Sequence, residues 1–259
     1  MLMDRLTIVK VGGKVVEEPE LLDQLLDNFK TITGNKILVH GGGKAATRLA
    51  ERLGVETRMV DGRRITDLET LEIVTMVYGG LINKRVVAGL QARNLNALGL
   101  TGVDLDLVRA RKRPVEDTDY GYVGDIEKVN SRELRFLLSE NVIPVVAPLT
   151  HDGNGMILNT NADTIASRLA IEFSNFFKVL LFYCFEKRGV LADPLDENSV
   201  LGELSETECI TYQESGVISS GMIPKLFNGF RALHNGVSEV LITNPENFFK
   251  GRGTRLVRT

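Results

Sequence analysis

Long uncharged apolar runs are scarce in the 259-residue chain, and no transmembrane helix is expected. Its most apolar stretch, Phe176 to Phe185, has ten residues and includes Lys178, well short of the roughly 20 that a span needs. The opening Met-Leu-Met-Asp-Arg carries neither the apolar region of a secretion signal nor an Arg/Ser-rich transit segment. Cysteine is scarce: Cys184 and Cys209 lie far apart with no Cys-x-x-Cys spacing. That excludes a disulfide framework and a zinc site of that type, and it favours a reducing cytoplasm. Positive charge is not in excess, with 31 Lys and Arg against 34 Asp and Glu for a net −3. A nucleic-acid binder relying on overall charge is therefore excluded, while a local basic site remains open. Proline- or serine-rich linkers, internal repeats and low-complexity tracts are also missing.

What is present is an ordinary globular composition, 43% hydrophobic and 25% charged, with a mean hydropathy of zero. Disorder and fibrous folds are excluded, and the length suits one large domain or two modest lobes. Leu6 to Val11 reads as a buried strand closed by Gly12-Gly13, followed by helical spacing of Leu21, Leu22, Leu25, Leu26 and Phe29 after Pro19. The pattern repeats with Lys36 to His40 as strand, Gly41 to Gly43 as turn and Lys44 to Leu53 as helix. Two such units favour a mostly parallel sheet with helices on both faces. A long apolar helix is expected from Asp67 to Arg93. Ala97 to Val129 reads as antiparallel hairpins forming a ribbon or lid. Ser131 to Glu140 is expected as a helix capped by Ser131. Val142 to Ala147 reads as a strand, and His151 to Met156 as a hairpin loop. Later come a helix from Ala162, a strand from Lys178 to Cys184, a helix from Met222 to Asn235 and a strand from Ser238 to Thr243. The halves should form two lobes of one continuous sheet with a cleft between them.

Two glycine turns, Lys10-Val11-Gly12-Gly13 and His40-Gly41-Gly42-Gly43, each follow a strand. Glycine there lets backbone amides approach an anion, and a helix N-terminus adds partial positive charge; a simple tight turn is the plainer reading. Neither matches a P-loop or a dinucleotide fingerprint. Lys10 interrupts an apolar strand, either snorkelling from a sheet edge or serving an anion. Lys225, in Ser219-Ser220-Gly221-Met222-Ile223-Pro224-Lys225, falls in a helix's first turn, where a cation opposes the dipole unless it serves a phosphate. In Asn159-Thr160-Asn161-Ala162-Asp163, Asn161 suits an N-cap and Asp163 a first-turn acid. Arg64, in Gly62-Arg63-Arg64-Ile65-Thr66, reads as a solvated charge or a carboxylate clamp.

These motifs in this order, with a closing Gly253-Thr254-Arg255, resemble the amino acid kinase family over essentially the whole chain. The His-Gly-Gly-Gly, Gly-x-Arg-x-Thr and Asn-x-Asn-Ala-Asp elements resemble its N-acetylglutamate kinase branch more than its aspartate, carbamate or nucleoside-monophosphate kinases. The resemblance implies an α/β fold, a three-layer αβα sandwich with a mostly parallel open central sheet. It implies an N-terminal lobe, residues 1–159, that binds acylglutamate and dimerises, and a C-terminal lobe, residues 160–259, that binds ATP. The implied reaction moves the ATP γ-phosphoryl group to the substrate's γ-carboxylate, in arginine-type biosynthesis. Lys10 and Lys225 would neutralise the transferring group from opposite sides, with Asp163 holding both. Gly12, Gly13, Gly42, Gly43 and Asn161 would serve phosphate or substrate, and Arg64 and Asn159 would grip substrate carboxylates. Glu186, Gly189, Gly221 and Met222 would face the nucleotide. Mg2+ would be held by nucleotide phosphates and water, with no protein ligand.

One segment departs from the family pattern. Phe185-Glu186-Lys187-Arg188-Gly189-Val190-Leu191 stands where the family has Thr/Ser-Asp-Val-x-Gly-Val-Leu, with Glu186 in place of the aspartate. A non-catalytic homologue acting as a regulatory module is the alternative from another class, against which both lysines and Asp163 argue. Within the enzyme class, N-acetyl is the family default and N-succinyl the alternative. The resemblance also implies a homodimer without arginine feedback, because the chain ahead of Lys10 is too short for the extra helix of arginine-inhibited relatives.

Overall fold

The computed structural model describes residues 3–60, 62–218 and 221–258. Strand β1 (Arg5–Val11) buries every residue after Arg5 and leads into a short helix α1 (Gly13–Glu17). Helix α2 (Pro19–Lys30) opens on proline and buries Leu22, Leu25, Leu26 and Phe29, one stripe at helical spacing. Strand β2 (Asn35–His40) and helix α3 (Gly43–Leu53) repeat the unit, and α3 ends on Gly54 in the left-handed region at φ 74°. A small hairpin follows, β3 (Met59–Val60) with β4 (Arg63–Arg64).

The expected long helix is continuous but not uniform. It comprises α4 (Leu68–Val74), a π-helical stretch at Thr75–Ile82 and α5 (Asn83–Gln91). Among the described residues it is the one helical run long and apolar enough to cross a membrane by length and composition. Its inner face, including Leu71, Val74, Val77, Ile82, Val86 and Leu90, is buried in the core, and its outer face carries Glu69, Glu72, Lys84 and Arg85. That two-sided pattern is that of a core-covering helix.

Strand β5 (Ala97–Thr101) corrects the ribbon expected over 97–129. It pairs in parallel with β8 (Ile143–Ala147) and forms an edge of the main sheet. Gly99 and Gly102 make this stretch look loop-like in sequence, yet Gly99 is glycine because Asn83 lies where its Cβ would be. Only β6 (Val108–Lys112) and β7 (Gly124–Val129) form the antiparallel pair. Helix α6 (Ser131–Ser139) begins one residue away from expectation: Asn130 occupies the cap position, and the Ser131 hydroxyl instead donates to Glu172 Oε1 at 2.9 Å. Strands β9 (Leu149–His151) and β10 (Ile157–Asn159) form the hairpin expected around 151–156 and join β6 and β7 in a four-stranded sheet.

Helix α7 (Ala162–Phe173) is capped by the Asn161 side chain, which accepts from the Asp163 and Thr164 amides. Then come β11 (Lys178–Cys184), β12 (Glu203–Ser205), α8 (Glu206–Glu214), α9 (Ile223–His234), β13 (Glu239–Thr243) and β14 (Thr254–Val257). A Ser205/Glu208 capping box starts α8. The Ser219-Ser220 start signal suggested for α9 lies outside the described residues. Proline in the first turn of α9 remains.

The main sheet has eight strands in the order β12-β14-β13-β11-β1-β2-β8-β5, and its only antiparallel pairing among the described residues is β13 with β14. Side chains on β1 alternate between faces. Leu6 and Ile8 join a core with α6, α7, α8 and α9, and Val9 and Val11 join one with α1 to α5. The result is a three-layer αβα sandwich. Strand β1 lies between β11 and β2 at its centre, so Lys10 is not at a sheet edge.

Candidate active site

Chain order departs in opposite directions on the two sides of β1, to β2 on one and β11 on the other. In open α/β sheets ligands bind at such a switch point, beyond the carboxyl ends of the strands. The cleft there encloses about 470 Å3 and is lined by Lys10, Gly13, Gly41 to Gly43, Arg64, Asn159, Asn161 and Asp163, among others. That volume lies within the range of small-molecule sites.

Alternation along β1 turns Lys10 toward the α7 layer, where Asp163 sits in the first helical turn. The Lys10 Nζ lies 2.7 Å from Asp163 Oδ1, and Lys225 Nζ, from the first turn of α9, lies 3.4 Å from Oδ2. One carboxylate thus bridges two ammonium groups on different elements. Burial alone would raise the Asp163 pKa, and the two lysines outweigh it and hold the carboxyl below its ordinary range. Lys10 shifts down because burial, aided by Lys225, outweighs the attraction of Asp163. The Lys225 ammonium also donates to the Gly221 carbonyl at 3.2 Å and stands 5.9 Å from the centre of the Phe185 ring.

The two glycine turns face each other. A Cβ on Gly13 would lie 3.4 Å from Gly42 N and 3.5 Å from Gly43 N, so the first turn packs directly against the backbone amides of the second. Gly42 is further enclosed by the π-helical stretch, where Ile82 Cδ1 would stand 2.4 Å from an added Cβ. Glu17 locks this corner: it accepts from Ala45 N at 2.8 Å and Arg48 at 2.7 Å. Arg64 is buried and donates to Gly43 O at 2.8 Å, Thr47 Oγ1 at 2.7 Å and Thr57 Oγ1 at 3.1 Å. Asn159 donates to Thr66 Oγ1 at 3.0 Å, joining the β4 corner to the start of α7.

Other residues fall outside this cluster. The Gly12 amide is committed to Cys184 O at 2.8 Å and is not available to an anion. Its lack of a side chain instead lets Phe185 pack close, at 3.2 Å from an added Cβ. Glu186 is exposed, while Gly189 is buried against Thr254. Gly221 and Met222 precede α9, and none of these four lines the cleft. Sequence reasoning missed Tyr78, Arg111, Arg168 and Arg231, which do line it. The like-charge pair is felt at Arg168, where burial and then Arg231 depress the guanidinium pKa. No glycine turn or cap marks these four, so no local signal could have found them.

The chain resembles known proteins along nearly all its length. It is 56% identical to the acetylglutamate kinase of Bacteroides thetaiotaomicron over 253 residues, 98% of each chain. It is 52% identical to that of Cytophaga hutchinsonii over 262 aligned positions, 98% of this chain and 99% of the other. Among solved structures, the smu.665 protein of Streptococcus mutans superposes with a TM-score of 0.81 at 26% identity, covering 97% and 98% of the two chains. The model of the amino acid kinase family matches residues 5–244. With the sandwich and its bridged lysines in place, this match shows that the chain belongs to the amino acid kinase family.

Proposed function

We propose that the chain catalyses ATP-dependent phosphorylation of the γ-carboxylate of N-acetyl-L-glutamate, a step of arginine biosynthesis. The observation that carries this reading is the bridged pair, Lys10 and Lys225 on the two oxygens of Asp163 at the mouth of the glycine turns. A substrate carboxylate oxygen attacks the γ-phosphorus, the bond to the β,γ-bridging oxygen breaks, and its electron pair leaves with ADP. No proton needs to be moved, because the nucleophile is already ionised at neutral pH. The protein's task is alignment and charge stabilisation. The lysines flank the transferring group, and the Gly13, Gly42 and Gly43 amides donate to its oxygens. Arg64 and Asn159 hold the substrate's other carboxylate, with residues 1–159 taking the acyl amino acid and 160–259 the nucleotide.

Kinase chemistry of this type uses Mg2+ to neutralise the nucleotide phosphates. Both Asp163 oxygens are engaged by lysines, and the other acid of the cleft, Asp125, is engaged by Arg113. Among the described residues no group of three or more His, Cys, Asp or Glu is placed to hold a metal. We take the ion to arrive on the nucleotide, since Mg2+ tends to keep several of its waters and to be held by substrate phosphates.

Two finer readings belong with this one. Buried free Cys184 and Cys209 suit a reducing cytoplasm. Homodimerisation is supported by exposed Leu68, Met76 and Leu81 on the long helix and Leu98 on the neighbouring edge strand β5.

A second acyl group is favoured by one observation. Arg63, Arg111, Arg168 and Arg231 line the cleft, and among the described residues none forms an ion pair with a carboxylate. N-acetylglutamate brings two carboxylates and ATP its phosphates to this cleft, and an acyl group bearing its own carboxylate, such as N-succinyl, would add a further anion for these cations to meet. Trapping the acyl phosphate with hydroxylamine, with ATP and N-acetyl-, N-succinyl- or free glutamate, separates the readings. The fastest product from N-acetylglutamate supports the first reading, and faster product from N-succinylglutamate supports the second. Equal rates with free glutamate would refute an acyl pocket altogether.

A further inference from the structure

His40 and Asn83 form a buried polar pair that the reaction as described does not use. His40 is fully buried and Asn83 is 1% exposed, so each polar atom must find a partner or incur a desolvation penalty. Asn83 Nδ2 faces the Val145 carbonyl at 2.9 Å, the Leu100 carbonyl at 3.4 Å and His40 Nε2 at 3.2 Å. Its Oδ1 receives the Lys84 ammonium at 3.2 Å. Two carbonyl oxygens on one side and an ammonium on the other fix which end of the amide is the NH2. The nitrogen facing His40 is therefore a donor, and His40 Nε2 must accept.

The other ring nitrogen gives the same answer independently. His40 Nδ1 lies 2.9 Å from the Gly41 carbonyl, an obligatory acceptor, so Nδ1 carries the proton. The Gly41 amide is itself bound to Val11 O at 2.9 Å. Both ends of Gly41 are thus pinned. In a trans peptide the C=O of one residue and the N–H of the next point in opposite directions. Drawing the Gly41 carbonyl into the buried imidazole therefore turns the Gly42 N–H outward, to the cleft that Gly42 lines. Among the described residues no protein acceptor is paired with that amide.

We infer that His40 is a positioning residue for phosphoryl transfer. Its Nδ1–H sets the Gly41-Gly42 peptide plane so that the Gly42 amide meets the transferring group, and Asn83 holds the imidazole in the required tautomer. Asn83 begins α5 where the π-helical stretch ends. Ile82 at the end of that stretch packs against Gly42 and Asn83 just after it meets His40, and π-helical turns recur at functional sites. This inference rests on the reading that Gly42 contacts the transferring phosphoryl group.

The paired variants His40→Asn and His40→Gln test it. An asparagine amide nitrogen can occupy the place of Nδ1 and still donate to Gly41 O, whereas a glutamine nitrogen falls near Nε2 and leaves that carbonyl without a donor. His40→Asn is expected to keep kcat within about threefold, as the bond to Gly41 O survives. His40→Gln is expected to lose kcat on the order of a hundredfold, the cost of removing one preorganised donor. KM for ATP and for the acyl amino acid should stay near wild type in both. Equal kcat in the two variants, or the higher value for Gln, would overturn the inference. Long-range 1H–15N NMR on the wild-type protein supplies a check that needs no variant to fold, since the chain has only three histidines. A protonated Nδ1 on His40 is expected, and a protonated Nε2 would overturn the proposal. A folded wild type that forms no acyl phosphate would instead remove the reading beneath it.

Discussion

Burial holds the His40 imidazole at a pKa of about 4, against an ordinary value of 6.5. Above pH 6.5 the ring is neutral in both the folded and the unfolded chain and costs nothing. Between 6.5 and 4 the unfolded chain binds a proton that the folded chain refuses, so stability falls as the solution is acidified. The full effect is about 3 kcal/mol, and it levels off below the folded pKa. Urea unfolding of wild type and His40→Asn at pH 7 and pH 4.5 isolates it from carboxylate titration. Wild type should lose about 2 to 3 kcal/mol more than the variant over that interval; equal losses would mean that His40 titrates freely. At this scale the sequence is informative where residue type and local pattern coincide. Lys10 breaks an apolar strand and Asp163 follows an N-cap, so both are visible. Asn83 sits in an ordinary helical stretch, and its partners come from β2, β5 and β8, which only the folded sheet assembles. Gly12 shows the converse, a glycine that looks like an anion cradle and serves close packing against Phe185.

The long helix ties the site to the molecule's surface. Its π-helical stretch, with hydrogen bonds from i to i+5, places Met76 and Leu81 on the same outer side. Both are 53% exposed, in line with Leu68 one turn-pair earlier. A second copy of the chain packed there would cover this stripe, and its inner face would remain against Gly42. Light scattering after gel filtration is expected to give a mass near twice 28.6 kDa. Met76→Glu with Leu81→Glu should shift it to the monomer, and a wild type already monomeric at micromolar concentration would argue against this interface. The elements themselves were mostly legible, because period-3.6 stripes and apolar runs are strong local signals. The exceptions have physical reasons. β5 is interrupted by Gly99, which is needed for the approach of Asn83. β12 and β14 are short, with three and four residues, and α8 buries only Cys209 and so shows no apolar stripe.

On the scale of the whole chain, an eight-stranded sheet places two glycine turns, Lys10 and Asp163 around a single cleft, with Lys225 reaching the same aspartate from α9. The slight net negative charge of −3 conceals this, because the cations that matter converge locally. Ordered motifs carried the family and the layer architecture; of the cationic rim they include Arg63, while Arg111, Arg168 and Arg231 did not show in them, since these come from three separate elements, β6, α7 and α9. We propose that Lys10 and Lys225, held by Asp163, neutralise the transferring phosphoryl group, and steady-state kinetics of purified Lys10→Ala and Lys225→Ala, with folding checked by circular dichroism, is the test. Each variant should lose kcat by about two or more orders of magnitude, with its fold intact. Near-normal kcat in both would contradict the two-lysine bridge.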